Sequence, residues 1–153
     1  STPIDQLKKI LPKFEEGFDI VIGSRSGRKG APLTRRFVAW GFVMTRKIIL
    51  GLPYADTQCG FKGFNKASRD EIFSYMKTAW KKNPPKGAAV NASFDVEVLY
   101  LAKKKGFKVA EVPVIWHYVD VGSRQVRVLN EAIDSLKAML RIRWDSTIKK
   151  KYK

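Results

Sequence analysis

Cysteine and histidine are almost absent from this chain, with one of each, Cys59 and His117, in 153 residues. A lone cysteine excludes an internal disulfide framework and fits a reducing compartment. One cysteine and one histidine also argue against a zinc site built by the protein alone. Acidic residues are scarce: 14 Asp and Glu stand against 30 Lys and Arg, for a formal net charge of +16 and a pI near 10.1. That surplus implies an anionic partner, whether nucleic acid, an anionic membrane surface or a phosphorylated substrate. Long hydrophobic runs are lacking as well. The most apolar stretch, RRFVAWGFVMTRKIILGLPY at residues 35–54, is interrupted by Arg46 and Lys47. It is too short to span a bilayer, yet suited to lie on one. No signal-peptide pattern and no initiating methionine open the sequence.

What remains is the composition of one packed domain, with 44% hydrophobic and 29% charged residues. STPIDQLKKILPKF reads as a helix with Ser1 or Thr2 as cap, Pro3 in the first turn and Ile4, Leu7, Ile10, Leu11 and Phe14 at helical spacing. Gly17 stops it. FDIVIGSR reads as a buried strand, and residues 33–50 as a helix apolar on most of its surface, stopped by Gly51 and Pro53. DTQCGFKGFNK predicts a strand or strand pair. ASRDEIFSYMKTAW predicts a helix capped by Ser68, with Ile72, Phe73, Met76 and Trp80 inward. FDVEVLYLAKKKG is a further helix with Gly106 as its stop, and FKVAEVPVIWHYV a strand alternating about Val109, Val112, Val114 and Trp116. The last helix carries Val126, Leu129, Ile133, Leu136, Leu140 and Trp144 on one stripe, followed by a basic tail. The pattern is α/β.

Among the cations, Arg25 follows a strand at the carboxyl edge where open α/β sheets bind ligands. Arg28 and Lys29 share its loop, Arg35 and Arg36 open the apolar helix, and Arg124 sits in a Gly-Ser-Arg turn. Solvated surface charge is the competing reading for each of them; position favours function for Arg25. Asp95 and Glu97 lie at a helix start, where the dipole alone favours carboxylates. Asp56 precedes Cys59-Gly60-Phe61.

In this order, GSR after a strand, RR ten residues on, DTQCGFKGF, FDVEVLYLAKKKGFKVAEVPVIW and VGSR before a long helix resemble family 2 glycosyltransferases that act on polyprenyl phosphates. The similarity is to the C-terminal half of the dolichyl-phosphate glucosyltransferase group, with the mannose synthases next. The resemblance implies a partial GT-A (nucleotide-diphospho-sugar transferase) fold, the acceptor-side half, with a mixed sheet flanked by helices. It implies a glycosyltransferase catalytic part at residues 1–125, then an amphipathic helix and basic tail at 126–153 as a membrane-interface element. The implied reaction is inverting transfer of a sugar, glucose from UDP-glucose, to a polyprenyl phosphate.

By the same resemblance, Arg25 and one of Arg35 or Arg36 face the acceptor phosphate or the diphosphate, and Ser123 and Arg124 close on the same anions. Asp56 lines the sugar pocket or fixes an arginine, with Gly60 and Glu97 toward the donor sugar. Asp95 falls where relatives with hydroxyl acceptors keep their base. The Mg²⁺ or Mn²⁺ ligands and the nucleotide site are expected upstream of Ser1, so the 153 residues alone are expected to be inactive. The expected partners are a nucleotide sugar, a polyprenyl phosphate lipid and a membrane surface on the cytoplasmic side, of endoplasmic reticulum or plasma membrane, and no nucleic acid. Arg35, Arg36, Arg46 and Lys47 are expected near headgroups. With upstream strands removed, FDIVIGS is expected at an open sheet edge, prone to self-association. The alternative is a basic nucleic-acid- or membrane-binding module without catalysis.

Overall fold

A computed structural model describes residues 2–25, 33–82, 92–116 and 128–148, with side chains described at 2–25, 40–79, 94–116 and 135–148. A 3₁₀ turn at Ile4–Gln6 leads into α1 (Leu7–Glu15), then β1 (Ile20–Ser24), α2 (Leu33–Leu50), β2 (Lys62–Phe64), α3 (Lys66–Lys82), α4 (Ala92–Lys104), β3 (Val109–Pro113) and α5 (Val128–Thr147). The fold is α/β: a three-stranded mixed sheet flanked by helices.

The strand order is β2-β1-β3. β1 pairs antiparallel with β2, Ile20 opposite Phe64 and Ile22 opposite Lys62, and parallel with β3, from Ile20 opposite Val109 to Ser24 opposite Pro113. All of β1 is buried, as its run of Ile, Val and Ile requires. The expected open edge at FDIVIGS is therefore overturned. β1 is the central strand, and the edges among the described residues are β2 and β3. Gly23 allows a close approach here: a Cβ on it would lie 3.0 Å from Val114 Cγ2, 3.1 Å from Phe61 O and 3.2 Å from Cys59 Sγ. The Gly23 N–H donates to Phe61 O at 2.7 Å, which draws the 59–61 segment onto the strand.

Alternating β1 residues feed two cores. Ile20 and Ile22 join Leu50, Leu52, Ile72, Met76, Leu99, Leu101, Met139 and Ile142 beneath α2, α3, α4 and α5. Val21 joins Ile10, Cys59, Ala110, Val112 and Val114 beneath α1. Along β3 the buried positions on this second face are thus 110, 112 and 114, while Val109 packs toward the first core.

The glycine stops hold: Gly17, Gly51 and Gly106 take positive φ. The expected caps do not. Among the described residues no side chain caps the 3₁₀ turn or α1, Thr2 included, and Ser1 lies outside them. At α3 the cap is Asn65, whose Oδ1 accepts from the Ser68 N–H at 2.9 Å. Ser68 is already inside the helix, its Oγ donating to Asp19 O at 2.9 Å. Ile72 and Met76 point inward as expected, whereas Phe73 is exposed.

The two apolar stripes expected at the chain ends are only half inward. Ile10 is buried and Phe14 packs beside it, but Ile4, Leu7 and Leu11 are exposed. On α5, Leu136, Leu140 and Trp144 face out, and Met139 and Ile142 enter the core instead. Val126, Leu129, Ile133 and Trp80 are outside the described side chains.

Candidate functional site

β1 ends at Ser24, and the chain leaves the sheet through Arg25. Its guanidinium is gripped by one carboxylate: Nε donates to Asp56 Oδ2 at 2.6 Å and Nη2 to Asp56 Oδ1 at 2.8 Å, while the Arg25 backbone N–H also donates to Oδ2 at 3.0 Å. The pair is mostly buried, with side-chain exposures of 20% and 16%. Hydrogen bonding to Asp56 raises the Arg25 pKa, against the opposing effect of burial. The guanidinium carbon lies 5.8 Å from the Trp116 ring centroid, a cation–π distance. Of the five guanidinium N–H donors, Asp56 takes two, which leaves three without a hydrogen-bond partner among the described residues. Their planar fork suits a carboxylate or a phosphate.

The loop that carries Asp56 is held from both sides. Arg46, only 2% exposed, donates through Nη1 to Thr57 Oγ1 at 3.0 Å and through Nη2 to Tyr54 O at 2.5 Å. Glu111 on β3 accepts from the Ala55 N–H at 2.9 Å and the Asp56 N–H at 2.8 Å. This corrects the headgroup role expected for Arg46. Its partners come from the loop after the helix, so the guanidinium turns inward; Lys47 is exposed.

A second ion pair lies under the same loop. Lys62 on β2, 8% exposed, donates to Asp95 Oδ1 at 2.8 Å and to Cys59 O at 2.5 Å. Sequence reasoning passed over Lys62; its place opposite the buried Ile22 was the available signal, visible only once the strand register is known. Glu97, two residues along α4 from Asp95, points elsewhere, since residues i and i+2 do not share a helix face. Its charge acts on Tyr75 of α3, whose phenol is pushed up to about 12, mainly by burial. Gly60 is exposed, and a Cβ there would meet nothing within 4 Å, so the fold itself does not demand a glycine.

The structure thus brings Arg25 and Asp56 into direct contact and sets Asp95 beneath their loop through Lys62 and Cys59. Arg35 and Arg36 lie on the first turn of α2, their side chains outside those described. Ser1, Arg28, Lys29, Ser123 and Arg124 lie outside the described residues. Among the described residues, no group of three or more His, Cys, Asp or Glu side chains is placed to hold a metal ion.

Against curated proteins, the chain is 39% identical over 107 residues to the dolichyl-phosphate beta-glucosyltransferase of Saccharomyces cerevisiae, a match covering 69% of this chain and 27% of that protein. It is 31% identical over 148 residues to the enzyme of that name from Dictyostelium discoideum, covering 92% of this chain and 41% of the relative. The Drosophila melanogaster protein of the same name matches at 31% over 120 residues, covering 74% and 33%. The chain is related to the family 2 glycosyltransferases and resembles dolichyl-phosphate β-glucosyltransferase. It spans less than half the length of these glucosyltransferase relatives. No protein-family model and no solved structure matches it.

Proposed function

We propose that this glycosyltransferase-like chain supplies the acceptor side of a GT-A enzyme that transfers glucose from UDP-glucose to a polyprenyl phosphate, with inversion. The observation that carries this reading is Arg25: a guanidinium fixed by Asp56 at the carboxyl end of β1, with three N–H donors left over among the described residues, in a chain similar to dolichyl-phosphate glucosyltransferases.

In the reaction, a phosphate oxygen of the acceptor forms a bond to the anomeric carbon. The bond from that carbon to the donor diphosphate breaks on the opposite face, and the nucleoside diphosphate leaves with the electron pair. A phosphate monoester has a second pKa of about 6, so the nucleophile is already largely anionic and needs no general base. The barrier is the approach of two anions. A cation between them lowers it, and Arg25 fills that role. Arg35 or Arg36, with Ser123 and Arg124, complete the anion site in this reading.

Asp56 orients Arg25, its two oxygens being engaged by the guanidinium, and Gly60 leaves room beside it for the donor. Asp95 is committed to Lys62, which fits a supporting role under the loop rather than proton abstraction. Mg²⁺ or Mn²⁺ would neutralise the leaving diphosphate. The chain spans less than half of its glucosyltransferase relatives, and this reading assigns metal and nucleotide to the remainder of such an enzyme and holds the isolated chain inactive.

Membrane association on the cytoplasmic side belongs to the same proposal. Leu136, Leu140, Trp144 and Ile148 form an exposed row at four-residue spacing on the last helix and just past its end, with Lys137, Arg141 and Arg143 exposed beside them. Apolar side chains flanked by cations suit an interface of anionic lipid. Among the described residues no helix is long and apolar enough to cross a membrane.

In a complete enzyme carrying this segment, Arg25→Ala is expected to lower turnover by about two orders of magnitude or more, the range for one positioned charge donor. Near-normal turnover in that variant would remove Arg25 from the site and the reading with it.

A further inference from the structure

A buried guanidinium in an apolar helix is costly, because its desolvation must be offset by well-placed partners. Arg46 is such a group, and its partners are unusual in being concentrated on one short loop. Its two terminal nitrogens reach Tyr54 O, Thr57 Oγ1 and, at 3.4 Å, Ala55 O. Its Nε has no hydrogen-bond partner among the described residues. Glu111 meets the same loop with the opposite charge, both oxygens spent on the consecutive N–H groups of Ala55 and Asp56. Cation and anion are not hydrogen-bonded to each other; each takes the complementary side of the backbone, carbonyls for one and amides for the other. Between them stands Asp56, whose two oxygens face Arg25.

We infer that Arg46 and Glu111 are positioning residues, a clamp of opposite charges on the 54–57 loop that makes Asp56 present Arg25 in one orientation. The inference rests on the reading of Arg25 as an anion-binding group. It adds two side chains that touch no ligand yet set the geometry of the one that does. A mere stabiliser of the loop would need neither charge, since apolar packing at position 46 would fit beside the buried Leu50 of the same helix. Two side chains that anchor carbonyls and amides from opposite sides fix the loop in position and in rotation, and the rotation decides where the Asp56 carboxylate points. Burial lowers the Arg46 pKa, and the charges of Asp56 and Glu111 oppose that effect, so the clamp and the carboxylate it aims are electrostatically coupled.

The test uses this chain and two readouts. The first is the NMR signal of the Arg25 Nε–H, which a short bond to a carboxylate moves downfield and protects from solvent exchange. The second is affinity for decyl phosphate, a soluble alkyl phosphate monoester. In Arg46→Lys, which keeps the charge but loses the fork, the chain stays folded by circular dichroism, the Arg25 Nε–H signal loses its shift and protection, and decyl phosphate binds about tenfold more weakly, as expected for one misplaced charged hydrogen bond. Glu111→Gln changes both readouts in the same direction. Should Arg46→Lys fail to fold, Glu111→Gln and Thr57→Val carry the test. Folded variants with an unchanged Arg25 Nε–H signal overturn the clamp. If the unmodified chain binds no decyl phosphate, the acceptor reading fails while the Arg25 signal still decides the positioning role.

Discussion

The two faces of the sheet are built to different depths. The face of Ile20 and Ile22 is closed by α2, α3, α4 and α5, which bury Leu50, Ile72, Leu99, Leu101 and Met139 against it. The face of Val21 has α1 alone among the described elements, and that helix leaves Ile4, Leu7 and Leu11 exposed. The charged residues of the candidate site gather at the carboxyl end of β1, where both faces meet. Lys62 and Asp95 lie on the deep side and Arg25 with Asp56 beyond the strand end. The contrast shows where rigidity comes from: the clamp residue Arg46 and the Lys62–Asp95 pair are anchored on elements of the deep core, so the site takes its geometry from that side.

The largest test of this contrast is a pair of truncations read by denaturant unfolding. Leu101 of α4, fully buried in the core shared by α2, α3, α4 and α5, is expected to cost about 3–4 kcal/mol as Leu101→Ala. Ile10→Ala, on α1, the single described helix of the other face and free to settle, is expected at the low end of the same range, about 2 kcal/mol. The reverse order would mean that the α1 face is the better supported one. A smaller effect is expected at the turn after α2. Gly51 has φ +65°, and a Cβ on it would lie 2.1 Å from Lys103 Nζ. That ammonium donates to Leu50 O at 3.2 Å and Gly51 O at 2.9 Å. Gly51→Ala therefore combines a left-handed backbone with displacement of the lysine from the helix end, for about 1–2 kcal/mol. A melting point equal to that of the unmodified chain would show that neither the left-handed backbone nor the lysine cap contributes there.

Much of this architecture was readable beforehand, and the failures share a cause. The α2 bounds, the central run of β1 and the three glycine stops follow from local chemistry: spacing, β-branching and the freedom of a residue without a Cβ. Arg25 was legible because a cation directly after a buried strand has a place in any α/β sheet. Arg46 was not, because its acceptors lie 8 to 11 residues away in a loop whose path no periodicity encodes. A cation in an apolar helix looks the same whether it faces lipid or a ring of carbonyls. The Lys62–Asp95 pair spans 33 residues and depends on the β1–β2 register. β1 was expected at an edge because its partners were sought upstream; its partners here, β2 and β3, both follow it, and pairing across the chain leaves no local trace. On α5 the period identified residues sharing a face but not which face looks inward. Met139 and Ile142 form the buried face, and the more apolar-looking row lies outside.

That row supplies the smallest expected effect and a sharp one. Leu140 is 52% exposed, while its neighbour Met139 is 1% exposed. Leu140→Glu is expected to change stability by no more than about 0.5 kcal/mol, as exposed substitutions do. The same change places a negative charge among Leu136, Trp144, Arg141 and Arg143, so binding to phosphatidylserine-containing vesicles should fall while binding of decyl phosphate should not. A loss of stability comparable to that of a core truncation would mean that a protein surface covers Leu140. The deep face would then extend outward beyond α5, and the row would no longer be available to a membrane.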